Sequence, residues 1–327
     1  LEISQLFDSP TVAGLSAALG SAAGARPPLT AGPRPERLPL SFAQQRLWFL
    51  NRLDGLSPAY NVPVALRLTG PLDVRALEAA FADVTDRHET LRTVFADDAD
   101  GSHQLVLPSV RTAVPVLPVA ERELAERVSE VAGRGFDLAE EPPLRATVLR
   151  LAADRHVLVL VLHHIAGDGG WSAPVLVRDL LTAYAARTAG TEPDWKPLPV
   201  QYADYTLWQR KVLGSEEDPD SPISRQLSYW RQALDGLPDE LALPRDRPRP
   251  LQAGHHGDEV PFVIPAELRR ALDRTAAEQH VSIFMVVQAA LAVLLSRLGA
   301  GADIPIGTPI AGRTDESLED LVGFFLN

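Results

Sequence analysis

An α/β fold is the class this sequence predicts, and three observations carry it. Val157-Leu158-Val159-Leu160-Val161-Leu162 is an unbroken apolar run with β-branched residues at alternate positions, the pattern of a buried strand. The glycines that follow it read as a tight loop, and Trp171 to Arg187 reads as the next helix. From Leu38 onward, helical and strand periodicities alternate along the chain, which implies helices packed on a mostly covered sheet.

Taken in order, Leu1 to about Leu19 carries Leu6, Phe7, Val12, Leu15 and Leu19 at roughly helical spacing, with Ser9-Pro10-Thr11 as a helix start. Gly20 to Arg37 is rich in Ala, Gly, Pro and Arg without a periodic pattern and reads as a linker. Ser41 caps an amphipathic helix running to Leu50, and Tyr60 to Leu68 alternates like a strand. Pro71 to His88 is a second helix, with Asp73 as its cap and Leu77, Ala80, Phe81 and Val84 on one face. Arg92–Phe95 and Gln104–Leu107 are strand pieces around the turn at Asp97–Gly101. The helix Val119–Gly133 and the strand Leu144–Leu151 lead into the apolar run. Beyond Arg187 come a proline-punctuated stretch, a helix around Ser224–Leu234, and a connector at Leu243–Pro250 whose prolines exclude helix and interior strand. A new pattern follows: strand Glu259–Val263, helices Ala266–Gln279 and Ile283–Leu298, and strand Asp303–Gly307. The apolar segment Phe324-Phe325-Leu326-Asn327 leaves the second half of the fold unfinished.

Composition bounds the function classes. The chain of 327 residues is long enough for about two domains. Its 46% hydrophobic and 23% charged residues are ordinary for a soluble globular protein. No apolar run approaches the roughly 18 residues of a membrane span, and the amino terminus has no signal-peptide pattern, so no membrane role is expected. With no cysteine there is no disulfide, no thiolate metal site and no cysteine nucleophile, which fits a cytoplasmic location. A net charge of −12 argues against nucleic acid as a partner.

The chemistry concentrates at His163-His164-Ile165-Ala166-Gly167-Asp168-Gly169, at the end of the apolar run. Adjacent strand residues point to opposite faces, so one histidine can face a cleft while the other packs inward. A histidine on a rigid strand end suits proton handling; the alternative is a strand end with satisfied core histidines. A metal site fits less well, because the two rings diverge and no other His, Asp or Glu cluster has ligand spacing. His255-His256 lies between glycines in the connector, a position expected to be exposed. His88, His103, His156 and His280 are isolated and read as structural. No dinucleotide fingerprint, P-loop or nucleophile elbow occurs. Histidine would then act on a substrate carried by something else, and direct acyl transfer without a covalent enzyme intermediate is the simplest such chemistry.

The motif His163-His164-x-x-x-Asp168-Gly169 resembles the signature of the condensation domains of nonribosomal peptide synthetases, relatives of chloramphenicol acetyltransferase. Other stretches resemble the family's remaining motifs in order. Ser41-x-Ala43-Gln44-x-Arg46-Leu47-Trp48 is similar to the first and Arg87 to Phe95 to the second. Tyr202-Ala203-Asp204-Tyr205 with Trp208-Gln209 is similar to the fourth, Ile306 to Arg313 to the fifth, and Leu321 to Asn327 to the sixth. The resemblance covers Leu38 to Asn327, and residues 1–19 resemble the last helix of a peptidyl carrier domain. It departs in one place: where the family reads Gly-Trp-Ser after the aspartate, this chain has Gly169-Gly170-Trp171-Ser172, and the extra glycine shifts the helix start.

The resemblance implies two chloramphenicol acetyltransferase-like lobes forming a V around a central channel. The expected division is a carrier helix at 1–19, a linker at 20–37, an N-terminal lobe at 38–198, and a C-terminal lobe at 199–327 that stays incomplete. The implied activity joins a donor aminoacyl or peptidyl thioester on an upstream carrier to the amine of an acceptor aminoacyl thioester on a downstream carrier. The implied partners are both peptidyl carrier domains and an adjacent adenylation domain, with this domain monomeric within a larger synthetase. No cofactor is bound directly, since substrates arrive on phosphopantetheine arms, and no metal is implied. His164 is assigned to the channel, either as a base for the ammonium proton or as a group that orients the amine. Gly169 would place a backbone N–H near the developing oxyanion. Asp168 is read as a scaffold, ion-paired to a buried arginine, Arg313 or else Arg46, with His163 packing inward. An epimerisation domain is the nearest rival but usually carries Ser-Trp where Trp171-Ser172 stands. A cyclisation domain replaces the histidines with an aspartate pattern. A non-catalytic docking module loses the second histidine, which is present here as His164.

Overall fold

The computed structural model describes residues 11–21, 26–238, 240–248, 257 and 260–326. The expected helix start at residues 9–10, Leu6 and Phe7, and the His255-His256 pair lie outside the described residues. Two compact units form, one running up to Ile223 and resuming at Ala311, the other spanning Ser224–Ile310.

The first unit opens with α1 (Val12–Ser21) and continues with β1 (Leu38–Pro39), α2 (Phe42–Asp54), β2 (Asn61–Thr69), α3 (Val74–Arg87), β3 (Thr93–Asp98), β4 (Gly101–Val106), β5 (Val116–Pro118) and α4 (Leu124–Ala132). It ends with β6 (Leu144–Ala152), β7 (Arg155–His163), α5 (Ser172–Thr188), α6 (Tyr202–Leu213) and the start of α7 (Pro222–Ala233). The main sheet has the order β2-β7-β6-β5, antiparallel except for the parallel pair β5–β6, and a smaller antiparallel sheet has the order β1-β4-β3. Strand β7 is central and buried from His156 to His163, as its unbroken Val/Leu run requires of a strand covered on both faces. Strand β2, at the sheet edge, alternates between half-buried and exposed positions. Asn61 pairs with His163 in the β2–β7 register, so the histidine pair sits where the central ladder ends.

Local chemistry sets the helix boundaries. Ser41 and Gln44 form a reciprocal capping box at the start of α2, and Asp73 accepts from Ala76 N–H at the start of α3. α3 packs along α5, and their apolar faces join Leu158–Leu162 and Phe81 in one core.

Several expectations are corrected. The stretch expected to be a linker has no regular structure over residues 26–37, yet it is docked on the first unit. Leu29 is buried, Trp208 Nε1 donates to the Pro27 carbonyl at 2.6 Å, and Arg34 bridges Asp204 and Glu89. The two compact units divide at Ile223 and Ala311. Val200, Tyr202 and Tyr205 share a small apolar core with Leu29, Leu318, Leu321 and Phe325, which ties both α6 and the last residues to the first unit.

In the second unit, α8 (Ala266–Glu278) and α9 (Ile283–Leu295) form as expected, but residues 260–263 and 303–307, the described parts of the two expected strands, form none. A strand is stable only when a neighbour takes its backbone groups, and no strand is found among the described residues of this unit. α9 continues through a π turn at Ser296–Ala300, giving an 18-residue stretch long and apolar enough to cross a membrane by length and composition alone. Gln288, Ser296 and Arg297 interrupt it, which is why no unbroken apolar run marks it in the sequence.

Candidate active site

At the end of β7 the two histidines part as strand geometry requires. His163 is 1% exposed, packs edge-on against Phe136 with ring centroids 5.8 Å apart, and accepts the Ile165 N–H on Nδ1 at 3.1 Å. Burial first, then the neighbouring His164 and Arg145, lower its pKa to about 4, so it is neutral at pH 7. His164 is half-buried, its backbone N–H donates to the Tyr60 carbonyl at 2.8 Å, and its ring meets the edge of Phe324 at 4.8 Å. Its buried Nδ1 has no hydrogen-bond partner among the described residues.

Asp168 is 2% exposed, in the loop that leads into α5. Its Oδ1 accepts from the backbone N–H groups of Gly170, Trp171 and Ser172 at 3.0, 2.6 and 3.3 Å. Oδ2 lies 3.0 Å from Ser172 Oγ. The extra glycine is accommodated here, because its N–H joins the set that converges on the carboxylate. Gly169 is exposed, and its own N–H has no hydrogen-bond partner among the described residues. A Cβ added at Gly169 would come within 3.3 Å of Val62 Cγ1, so a side chain would press on β2.

The expected ion pair of Asp168 is corrected on both counts. Arg46 is exposed on α2 and lies outside the network. Arg313 belongs to it but reaches Asp168 through Ser172: Arg313 Nη2 donates to Ser172 Oγ at 3.0 Å. Asp168 spends one oxygen on the N–H groups of Gly170, Trp171 and Ser172 and turns the other to the Ser172 hydroxyl, and the guanidinium bonds that hydroxyl instead. Arg313 Nη1 also donates to the carbonyls of Leu321 and Leu318, and the guanidinium lies over the Phe325 ring at 4.5 Å. Burial lowers its pKa, with Asp168 and Tyr202 acting in the opposite sense.

The segment Leu321–Leu326 lies against the site, and residues from three distant stretches hold its backbone. Gly323 N–H donates to Ser172 Oγ at 3.3 Å, and the Gly323 carbonyl lies 2.8 Å from the same hydroxyl. Tyr202 OH donates to the Phe324 carbonyl at 2.6 Å and lies 2.9 Å from Ser41 Oγ. Burial raises the Tyr202 phenol far above its usual range, which keeps it a donor. Val322 N–H donates to His88 Nδ1 at 3.3 Å. A Cβ on Gly323 would fall 2.5 Å from Tyr202 Cδ2, so only glycine fits.

Sequence reading marks His163, His164, Asp168 and Gly169, but assigns no role to Ser172, Phe324 or Tyr202. Each acts through a contact spanning more than a hundred residues, which local patterns do not carry. No group of three or more His, Asp or Glu residues that could hold a metal ion occurs among the described residues.

A mixed α/β unit thus carries a half-buried histidine just past the end of its central strand and, in the loop beyond it, a glycine whose N–H is unengaged. The condensation-domain family profile matches residues 35–327, and the chain belongs to this family. It is 52% identical over 329 residues to a dimodular nonribosomal peptide synthase of Bacillus subtilis (strain 168), covering 100% of this chain and 14% of that protein. It is 50% identical over 305 residues to an isonitrile lipopeptide synthase of Mycobacterium tuberculosis (strain ATCC 25618 / H37Rv), covering 92% of this chain and 12% of that one. The chain thus spans a small fraction of these curated relatives. Among solved structures, the X-domain in its complex with OxyB from teicoplanin biosynthesis superposes with a TM-score of 0.86 at 39% identity, over 94% of this chain and 67% of that one. The four-domain nonribosomal peptide synthetase holo-AB3403 superposes with a TM-score of 0.77 at 24% identity, over 95% of this chain and 23% of that one. The fold is the two-lobed, chloramphenicol acetyltransferase-like one.

Proposed function

We propose that this chain forms peptide bonds in nonribosomal peptide biosynthesis, joining a donor aminoacyl or peptidyl thioester on an upstream carrier to the amine of an acceptor aminoacyl thioester on a downstream carrier. The observation that carries the reading is the half-buried imidazole of His164, with a free Nδ1, five residues along the chain from the unengaged Gly169 N–H. The acceptor amine loses a proton and attacks the thioester carbonyl carbon. The C–S bond then breaks, and the donor thiolate leaves and takes up a proton. His164 either accepts the ammonium proton or orients the amine, and Gly169 N–H donates to the oxyanion of the tetrahedral intermediate. Holding two tethered substrates together supplies much of the acceleration, a term worth roughly 7–11 kcal/mol. No cofactor is bound directly in this scheme, because phosphopantetheine arms present both substrates. The partners are the two carrier domains and an adjacent adenylation domain, with the domain monomeric within its synthetase. The lack of cysteine supports a cytoplasmic setting.

A second reading has a specific observation behind it: the close superposition on the X-domain, solved in complex with OxyB, favours a module that docks another protein. The experiment is a single-turnover assay with the synthetase polypeptide bearing this domain and both carriers loaded. Dipeptidyl thioester on the downstream carrier supports condensation. Binding of both carriers with no product supports docking.

A further inference from the structure

His88 is fully buried at the end of α3 and touches neither of the groups assigned to the reaction. Its Nδ1 accepts the Val322 N–H, which can only donate, so the ring proton sits on Nε2 and is given to Asp179 Oδ2 at 2.9 Å. Asp179 is further held by Arg87 at 2.8 Å and by Arg178 at 2.9 Å, and Arg178 also grips Asp320 at 2.7 Å. The charged groups around the ring are therefore Asp179 and Arg178 from α5, Arg87 from α3, and Asp320 from the returning segment. Burial lowers the His88 pKa against the pull of Asp179, in keeping with the neutral tautomer.

Satisfying both ring nitrogens of a buried histidine takes two bonds. This ring has two, and the second fixes a backbone N–H two residues before Phe324, whose ring edge contacts His164. We propose that His88 is a positioning residue for His164: by accepting the Val322 N–H it fixes the Val322–Phe324 segment, and Phe324 in turn sets the orientation of the His164 imidazole. The consequence for turnover rests on the condensation reading, whereas the consequence for the His164 ring does not.

Two isosteric variants separate the two bonds. In His88→Asn the amide oxygen takes the place of Nδ1 and keeps the acceptor for Val322, while the bond to Asp179 is lost. In His88→Gln the amide nitrogen takes the place of Nε2 and keeps the bond to Asp179, while the acceptor is lost. The measurements, on the synthetase polypeptide bearing this domain, are the rate of His164 carbethoxylation by diethyl pyrocarbonate, followed by peptide mass spectrometry, and kcat with KM for dipeptidyl transfer. The expected result is a wild-type His164 reaction rate in His88→Asn and an altered rate in His88→Gln. In the latter, kcat falls about tenfold or more with KM unchanged, in line with the cost of small misplacements of a reacting group. Wild-type His164 reactivity in both variants, equal change in both, or a larger change in His88→Asn would overturn the proposal. The expected change in His164 reactivity without loss of turnover would leave the positioning intact and count against the catalytic reading of His164.

Discussion

Asp168 illustrates what a residue's own chemistry imposes. A buried carboxylate must have its oxygens satisfied, and here three N–H groups and one hydroxyl do so. Ser172→Ala removes the hydroxyl that links Asp168, Arg313 and Gly323, and leaves buried polar groups without a partner. The expected loss is about 2–3 kcal/mol, read as a lower urea midpoint with an unchanged m-value. Asp168→Ala, which takes the acceptor from three N–H groups and the Ser172 hydroxyl, is expected to cost about 3 kcal/mol or more. A wild-type midpoint in either variant would remove the network from the account of the site. The divergence of His163 and His164 was legible in the sequence because strand alternation is a local rule. The partner of Asp168 was not, since charge matching favours an arginine and says nothing of a serine placed between them.

Elements show the same division. The capped starts of α2 and α3 and the strand β7 follow from residues within a few positions of one another, and the sequence marks them. The docking of residues 26–37 depends on Trp208, Asp204 and Glu89, all far along the chain, and composition alone suggested a linker. The strands expected at 259–263 and 303–307 had suitable patterns but no partner strand among the described residues of their unit. Gly312 is a case where an element tolerates one residue type. Its φ is +68°, and a Cβ would fall 1.9 Å from the Phe325 carbonyl oxygen. Gly312→Ala is expected to lower the melting temperature markedly, with a cost of about 2–4 kcal/mol, because the turn that brings Arg313 to Ser172 has to shift. An unaltered melting temperature would show that the turn is not needed.

At the scale of the whole molecule, the two buried histidines His163 and His88 give stability a pH dependence with a definite sign. Both have folded-state pKa values below the ordinary 6.5, His163 at about 4. Between those limits the unfolded chain binds more protons than the native one, so stability rises with pH through this window, is complete above 6.5, and is lost as pH falls toward 4. For His163 alone the change is of order 3 kcal/mol. Urea midpoints at pH 7.5 and 5 should differ in that direction, and equal midpoints would mean that neither ring is held neutral. The fold and the motif order were readable because the six stretches recur at family spacing. Their convergence on the Leu321–Leu326 backbone was not, because hydrogen bonds to a backbone leave no residue-type signal. The central claim, that His164 acts in amide-bond formation, is tested most directly by His164→Ala in the synthetase polypeptide bearing this domain, with both carriers loaded. The expected result is a fall of about 100-fold or more in dipeptidyl thioester formation, with carrier loading and melting temperature unchanged. Dipeptide formation at the wild-type rate would contradict it.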